Sequence, residues 1–351
     1  MPSLRAHVFR IPANSPDDVS GVKALFAERF NASEVVAVLG KTEGNGCVND
    51  FTRGYATRSF ELLFRDQNVD GVSIVMSGGT EGALSPHWTV FAREKVEQPG
   101  EGALAIGVAR TPTLPPEQLG RREQIRMVAA AVKAAIRDAG IEDAADVHFV
   151  QIKCPLLTSQ RIAEAEASGK TTATRDTLKS MALSRGASAL GVAVALGEVD
   201  IDAIADGDIC GRFDLYSRCA SASAGVELLD HEIVVLGMSA GWSGPLAIDH
   251  AVMRDAIDAV SVRAAWDRLP MAGRLTAVLA KAEPDPSGQV RGRRHTMLND
   301  SDIAGTRHAR AFVGGVLAGV FSMTDLYVSG GAEHQGPPGG GPVAIIVEKE
   351  T

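Results

Sequence analysis

The chain is short of several features that would place it in large functional classes. Its four cysteines, Cys47, Cys154, Cys210 and Cys219, include no Cys-x-x-Cys pair, so neither a zinc ribbon nor a disulfide framework is indicated. It has no excess of basic charge: 35 Lys and Arg stand against 43 Asp and Glu, a net charge of -8, and nothing draws such a chain to nucleic acid or to an anionic membrane. No apolar run approaches the roughly 18 residues of a membrane-spanning helix. Met1-Pro2-Ser3-Leu4-Arg5 lacks the apolar core of a secretory signal, so a reduced, cytoplasmic setting is expected. Gly40-Lys41-Thr42 invites a phosphate-loop reading but lacks the Gly-x-x-x-x-Gly-Lys-Ser/Thr spacing. Among eight histidines no pair has metalloprotease spacing; His231, His250 and His295 are expected at the surface or at helix ends.

What the chain does contain is one small pattern in three copies: Ser77-Gly78-Gly79-Thr80-Glu81, Ser223-Ala224-Gly225-Val226-Glu227 and Ser329-Gly330-Gly331-Ala332-Glu333. An apolar, β-prone run precedes each serine, at Val72 to Met76, Phe213 to Tyr216 and Leu326 to Val328. Each serine is therefore expected where a strand gives way to a glycine-loosened turn. Further upstream, each copy has an apolar run ending in lysine (Lys41, Lys153, Lys281) and then a helical stretch carrying arginine (Arg53, Arg185, Arg310). Helical periodicity is predicted at about 115–138, 175–196, 251–269 and 306–321, among others. The predicted fold class is α/β, with three concatenated homologous domains at 1–101, 102–246 and 247–351. The boundaries fall where Gly and Pro concentrate, around Gln98 to Gly102 and Gly241 to Pro245. Three like domains pack most simply about a pseudo-threefold axis, which brings their equivalent loops together at one junction.

One pocket would then hold three lysines, three arginines and three serines. Taken singly, each has an ordinary reading: a solvated lysine, a surface arginine, a serine capping a turn. Independent surface residues have no reason to recur three times in the same order. Arginine forks suit carbonyl or enolate oxygens, and a serine beside a deprotonated lysine is a nucleophile–base pair. Two residues after the lysines stand Glu43, Pro155 and Glu283. A neighbouring carboxylate favours the ammonium form, so Lys153 is expected to be the lysine most readily neutral, with Ser223 as its partner. The Gly/Pro-rich loop Glu333 to Gly341 offers carbonyl oxygens that, with Glu283, would suit Mg²⁺ or Ca²⁺. His87 and His334 are candidates for the pocket's rim. The same cationic pocket would also serve a non-catalytic receptor for a small trione or oxyanion.

Four stretches carry a family resemblance: Gly40 to Asp50, Met76 to Gly82, Thr306 to Ala311 and Tyr327 to Pro338. They resemble the cyanuric acid hydrolase and barbiturase family, and the match extends over essentially the whole chain. The resemblance implies ring-opening hydrolysis of cyanuric acid to carboxybiuret, which loses CO2 to become biuret, or, in a barbiturase, opening of a pyrimidine-trione ring. It places the nucleophile on Ser223 and its activating lysine on Lys153. It gives substrate-holding roles to Arg53, Ser77, Gly78, Arg185, Ala224, Arg310, Ser329 and Gly330, while Lys41 and Lys281 complete the lysine–serine sets. Ala224 departs from the glycine of the other copies but keeps its N–H. No cofactor is implied for catalysis. A structural divalent metal is implied, held by Glu283, Ala332, Gln335, Gly336, Pro337 and Gly340, and so is a homo-oligomer, often a tetramer.

Overall fold

A computed structural model of the chain describes residues 3–270 and 273–349. The first stretch runs β1 (Ser3–Pro12), α1 (Ser20–Glu28), β2 (Val35–Thr42), α2 (Phe51–Asp66), β3 (Ser73–Gly78) and β4 (His87–Val96). The second runs β5 (Ala103–Arg110), α3 (Arg122–Asp138), β6 (Val147–Pro155), α4 (Ser159–Ala167), α5 (Thr177–Ala195), β7 (Ala220–Gly225), β8 (Glu232–Ser239) and the short β9 (Trp242–Ser243). The third runs β10 (Leu246–Met253), α6 (Ala259–Arg268), β11 (Arg274–Ala282), the hairpin β12 (Gln289–Val290) and β13 (Arg293–Arg294), α7 (Gly305–Phe321), β14 (Tyr327–Gly330) and β15 (Gly341–Glu348).

The repeat is visible in strand order. The sheets read β3-β2-β4-β1, β7-β6-β8-β5 and β14-β11-β15-β10, and β9 extends the first at its β1 edge. In each, the serine strand lies parallel to the lysine strand at one edge, and the other pairs among these four strands are antiparallel, while β9 joins β1 in parallel. Even the irregularities recur: the lysine strand bulges near its start at Val35/Ala37, Val147/Phe149 and Leu275/Ala277. Bulges re-aim the residues that follow them.

Both faces of these sheets are covered, which is why the strands read as continuous apolar runs. In β2, Ala37 and Leu39 enter a core shared by all three sheets, whereas Val35 and Val38 face the first unit's own helices. In β11, Ala277 and Leu279 enter the shared core, and Val278 and Ala280 pack on the third unit's helices. Side chains alternate along a strand. Lys41 and Lys281, two residues beyond Leu39 and Leu279, therefore point to the common centre.

Three local expectations are corrected. The strand before Ser223 is Ala220–Gly225, not Phe213 to Tyr216, which lies in turns. This strand is built of Ala and Ser, weak strand formers, and is specified instead by its pairing with β6. The predicted helix at 251–269 is strand β10 as far as Met253, and α6 begins only at Ala259. The predicted helix at 115–138 starts as a single 3₁₀ turn and becomes α-helical at Arg122, beyond Gly120 in the left-handed region (φ +71°). Among the described residues no helix is long and apolar enough to cross a membrane.

Candidate active site

The strand registers align the candidate residues. Lys41 is paired with Ser77, Lys153 with Ser223 and Lys281 with Ser329, the same cross-strand position in three parallel ladders. All six side chains are buried. Each arginine reaches the same region from a helix that lies between its lysine strand and its serine strand. Asp50 caps α2 by accepting from Arg53 N at 3.0 Å, which fixes Arg53 in the first turn. Arg185 and Arg310 extend from α5 and α7.

These elements meet at one cavity of about 280 Å³, lined by Ser77, Ser223, Ser329, Arg53, Arg185 and Arg310 together with Gly78, Ala224 and Gly330. The hydroxyls of Ser223 and Ser329 are 3.0 Å apart. Tyr327, two residues before Ser329 on β14, is wholly buried, and its hydroxyl has no hydrogen-bond partner. Burial pushes its phenol well above the usual range, opposed by Ser223 and Ser77.

The three lysines differ in what they hold. Lys41 Nζ donates to Ser77 Oγ at 3.3 Å and Gly78 O at 3.4 Å. Lys281 Nζ donates to Ser329 Oγ at 3.1 Å, Gly330 O at 3.0 Å and Ala222 O at 2.9 Å. Lys153 Nζ donates to Met76 O at 2.7 Å and makes an ion contact of 2.7 Å with Glu227; it makes no hydrogen bond to Ser223. The second lysine therefore does have a carboxylate neighbour, contrary to the inference from Pro155. The neighbour comes from the motif after Ser223 rather than from the residues after Lys153. Burial, reinforced by the charge of Arg310, holds the Lys41 amine well below its usual range. Burial and Arg185 bring Lys281 to about 7. Burial also lowers Lys153, but Glu227 opposes it.

The glutamate that closes each serine motif has a role that sequence reasoning missed. Arg310 of the third unit clamps Glu81 of the first, at 2.8 and 2.5 Å. Arg185 of the second clamps Glu333 of the third, at 2.8 and 2.6 Å. Arg53 of the first approaches Glu227 of the second at 3.0 Å, outside hydrogen-bonding alignment. Every arginine thus reaches the glutamate of the next unit, and the three pairs form a closed ring around the cavity. Gly79 (φ +105°) and Gly331 (φ +78°) leave room for it, because a Cβ there would collide with Arg310 and Arg185. The signal was present in the sequence as the recurring Glu of each motif. Glu227 differs from the other two in being shared with Lys153. Against its burial, Lys153 and Arg53 pull its carboxyl down to about 2.

The histidines lie away from the cavity lining. His87 is buried opposite Lys41 in the β2–β4 ladder. His334 is buried between Cys210 N and Leu215 O, stacked on Phe213. His231 is wholly buried, bonded to Thr111 and Gln124, and burial lowers its imidazole to about 3. His250 is half-buried against His148, and His295 is also half-buried. A lone histidine carries no sequence cue to such burial.

Of the residues implied for a metal, Glu283 lies against the start of the loop that carries the others. Glu283 accepts from Gly331 N at 2.8 Å and Thr306 Oγ1 at 3.2 Å. Burial and then the charge of Glu333 push its carboxyl up to about 7. The loop after Glu333 turns through left-handed positions at His334, Gly336 and Gly339. In this loop the carbonyls of Ala332 and Pro337 each accept one backbone N–H, from Gln335 and Gly340, and a carbonyl has a second lone pair to offer. A carboxylate short of positive charge beside carbonyl oxygens is a donor set that fits a hard divalent cation. The Gln335 side chain is already used, accepting from Ala222 N and donating to Gly331 O, so only its main-chain oxygen could serve as a ligand.

Fold and site together define a three-unit α/β protein whose repeats converge on one cavity lined by serine hydroxyls and by arginines paired with glutamates, suited to a small ring bearing several carbonyl oxygens. The chain belongs to the ring-opening amidohydrolase family, whose model matches residues 7–348. It is 81% identical over 350 residues to the cyanuric acid amidohydrolase of Rhizobium leguminosarum bv. trifolii (strain WSM1325), with 100% of both chains covered. It is 61% identical to that of Azorhizobium caulinodans, covering 99% of each. Among solved structures, the cyanuric acid hydrolase from A. caulinodans matches with a TM-score of 0.93 at 59% identity, over 100% of both chains. A second cyanuric acid hydrolase, described as an evolutionary innovation by structural concatenation, matches with a TM-score of 0.94 at 49% identity, over 99% of this chain and 100% of that one.

Proposed function

We propose that this chain hydrolyses cyanuric acid, opening its ring to carboxybiuret, which loses CO2 to give biuret. The observation that carries the reading is that three serines and three arginines from three repeats line one cavity, each serine in register with a buried lysine. A substrate with three equivalent carbonyls matches a site with three equivalent grips. Ser223 attacks one carbonyl carbon, and Lys153 takes the hydroxyl proton and returns it to the departing ring nitrogen. Ser77, Ser329 and the arginines hold the other carbonyls, and the backbone N–H groups of Gly78, Ala224 and Gly330 together with the nearby cations stabilise the tetrahedral oxyanion. Water then cleaves the acyl-serine.

A second proton route is favoured by one contact. Ser223 Oγ meets Ser329 Oγ, which meets Lys281 Nζ, so Lys281 could receive the proton through Ser329. Incubating the purified protein with cyanuric acid is expected to yield biuret, with kcat/KM at least about tenfold above that for barbituric acid. Preference for barbituric acid would favour the barbiturase reading, and binding without turnover of either would favour a receptor.

The reading extends to repeat units at 1–101, 102–246 and 247–351, a cytoplasmic location and a homotetramer, the last open to light-scattering measurement. It also includes a structural Mg²⁺ or Ca²⁺ held by Glu283 and main-chain oxygens of Ala332, Gln335, Gly336, Pro337 and Gly340. There the metal would supply positive charge to Glu283, whose carboxyl is pushed up to about 7 by burial and Glu333. Adding the cation to chelator-treated protein is expected to raise the melting temperature by several degrees, and Glu283→Gln to abolish that response. An unchanged melting curve would count against the metal.

A further inference from the structure

Lys153 borders a second cavity, of about 790 Å³, between α2 and β3 of the first unit and the second unit's sheet. Its outer residues Glu61, Arg65 and Asp70 are exposed, whereas Lys153 and Glu232 are buried. Glu232 opens β8 directly opposite Lys153 in the antiparallel β6–β8 ladder, and paired positions present their side chains on one face. The other copies have no carboxylate at this position. Opposite Lys41 stands His87, and the third ladder ends one pair short of Lys281, at Ala280–Val343.

The Glu232 carboxylate accepts from Ile74 N at 2.9 Å and from Arg110 Nη2 at 2.7 Å. Burial pushes it up to about 7 against the pull of Arg110, so it gains and loses a proton near neutrality. Glu227, which touches the amine, is held at about 2 and is a poor acceptor. An ammonium paired with Glu227 cannot serve as a base until its proton has somewhere to go.

We propose that Glu232 is the positioning residue that makes Lys153 a base: with no direct contact between the two side chains, it accepts the ammonium proton of Lys153 through water in the cavity that both border, and releases it to solvent. The N–H bond breaks with its electron pair left on Nζ, the cavity water takes that proton and gives one of its own to the Glu232 carboxylate, and solvent then removes it from the new O–H. This rests on Lys153 being the base. The charged groups around Glu232 are Arg110 on β5, Lys153 on β6, Glu227 and Asp230 in the preceding loop, and Glu61, Arg65 and Asp70 across the cavity.

Glu232→Gln keeps the size and an acceptor for Ile74 N. Its kcat on cyanuric acid is expected to fall about ten- to a hundredfold, with KM within about twofold and the ascending pH limb near 7 lost. Glu232→Asp should keep that limb, and formate should restore part of the kcat of Glu232→Ala. A Glu232→Gln enzyme with kcat within about twofold of the parent would overturn the proposal, whichever way its limb shifts. So would a loss of activity in all three variants that tracks a fall in melting temperature and is untouched by formate. Lys153→Met separates the two levels: full activity there removes the base assignment itself, whereas an inactive Lys153→Met beside an unchanged Glu232→Gln profile removes only the role of Glu232.

Discussion

Replacing Ser223 by alanine is expected to lower kcat for biuret formation by at least about 10⁴-fold, the scale on which hydrolases lose an essential nucleophile, while cyanuric acid still binds in calorimetry. Ser77→Ala and Ser329→Ala remove a grip and an oxyanion-side contact, and should cost only about 10- to 10³-fold. The three serines are equivalent in register, so unequal losses would identify the reacting one, and equal losses would sink the assignment to Ser223. Lys153→Met should match Ser223→Ala, with Lys281→Met milder. If Lys281→Met proves the more damaging, the proton travels along the Ser223–Ser329–Lys281 chain instead. The asymmetry behind this expectation is structural. Lys153 is the lysine that faces a carboxylate, Glu232, across its sheet.

The second large effect concerns the ring of inter-unit pairs. Glu333→Ala strands the Arg185 guanidinium, whose side chain is 14% exposed, as is that of its partner. Breaking one side of a buried pair typically costs about 3–5 kcal/mol, because the remaining charge stays buried and unpaired. Urea unfolding should show a loss of that order, and Arg185→Met added to Glu333→Ala should recover part of it in a double-mutant cycle. A loss below about 1 kcal/mol, the scale of exposed pairs, would mean the ring does not hold the units together. Glu333→Ala also frees the arginine that should grip substrate, so KM should rise. The pH dependence follows from the sign of the shift. Against burial, Arg185 holds the Glu333 carboxyl below its ordinary 4.5. The stabilisation is therefore present above about pH 4.5 and is lost as pH falls through the lower folded-state value.

Much of this site could be read from residue order. The Lys, Arg and Ser landmarks sit on strands and helices whose apolar runs are marked by their own periodicity, and a period of two carries Ala37 and Leu39 on to Lys41. The run Ala220–Gly225 could not be read this way. Its small residues do not prefer a strand, and only the neighbouring β6 makes it one. Leu246–Met253 was likewise masked by the alanine-rich stretch that follows. The misreading of Lys153 has the same origin. Charge was sought two residues along the chain, at Pro155, whereas the carboxylate, Glu227, arrives from the loop after Ser223.

The sequence by itself determined that three like units exist, which side chains each contributes and that these are cationic and hydroxylic, because local pattern and composition are properties of short segments. Only the tertiary structure decided which arginine meets which glutamate, that Lys153 shares Glu227 and faces Glu232, and that His231 is buried and neutral. Those relations join residues from tens to more than two hundred positions apart. They depend on how three sheets close around one core, and no local propensity encodes that closure.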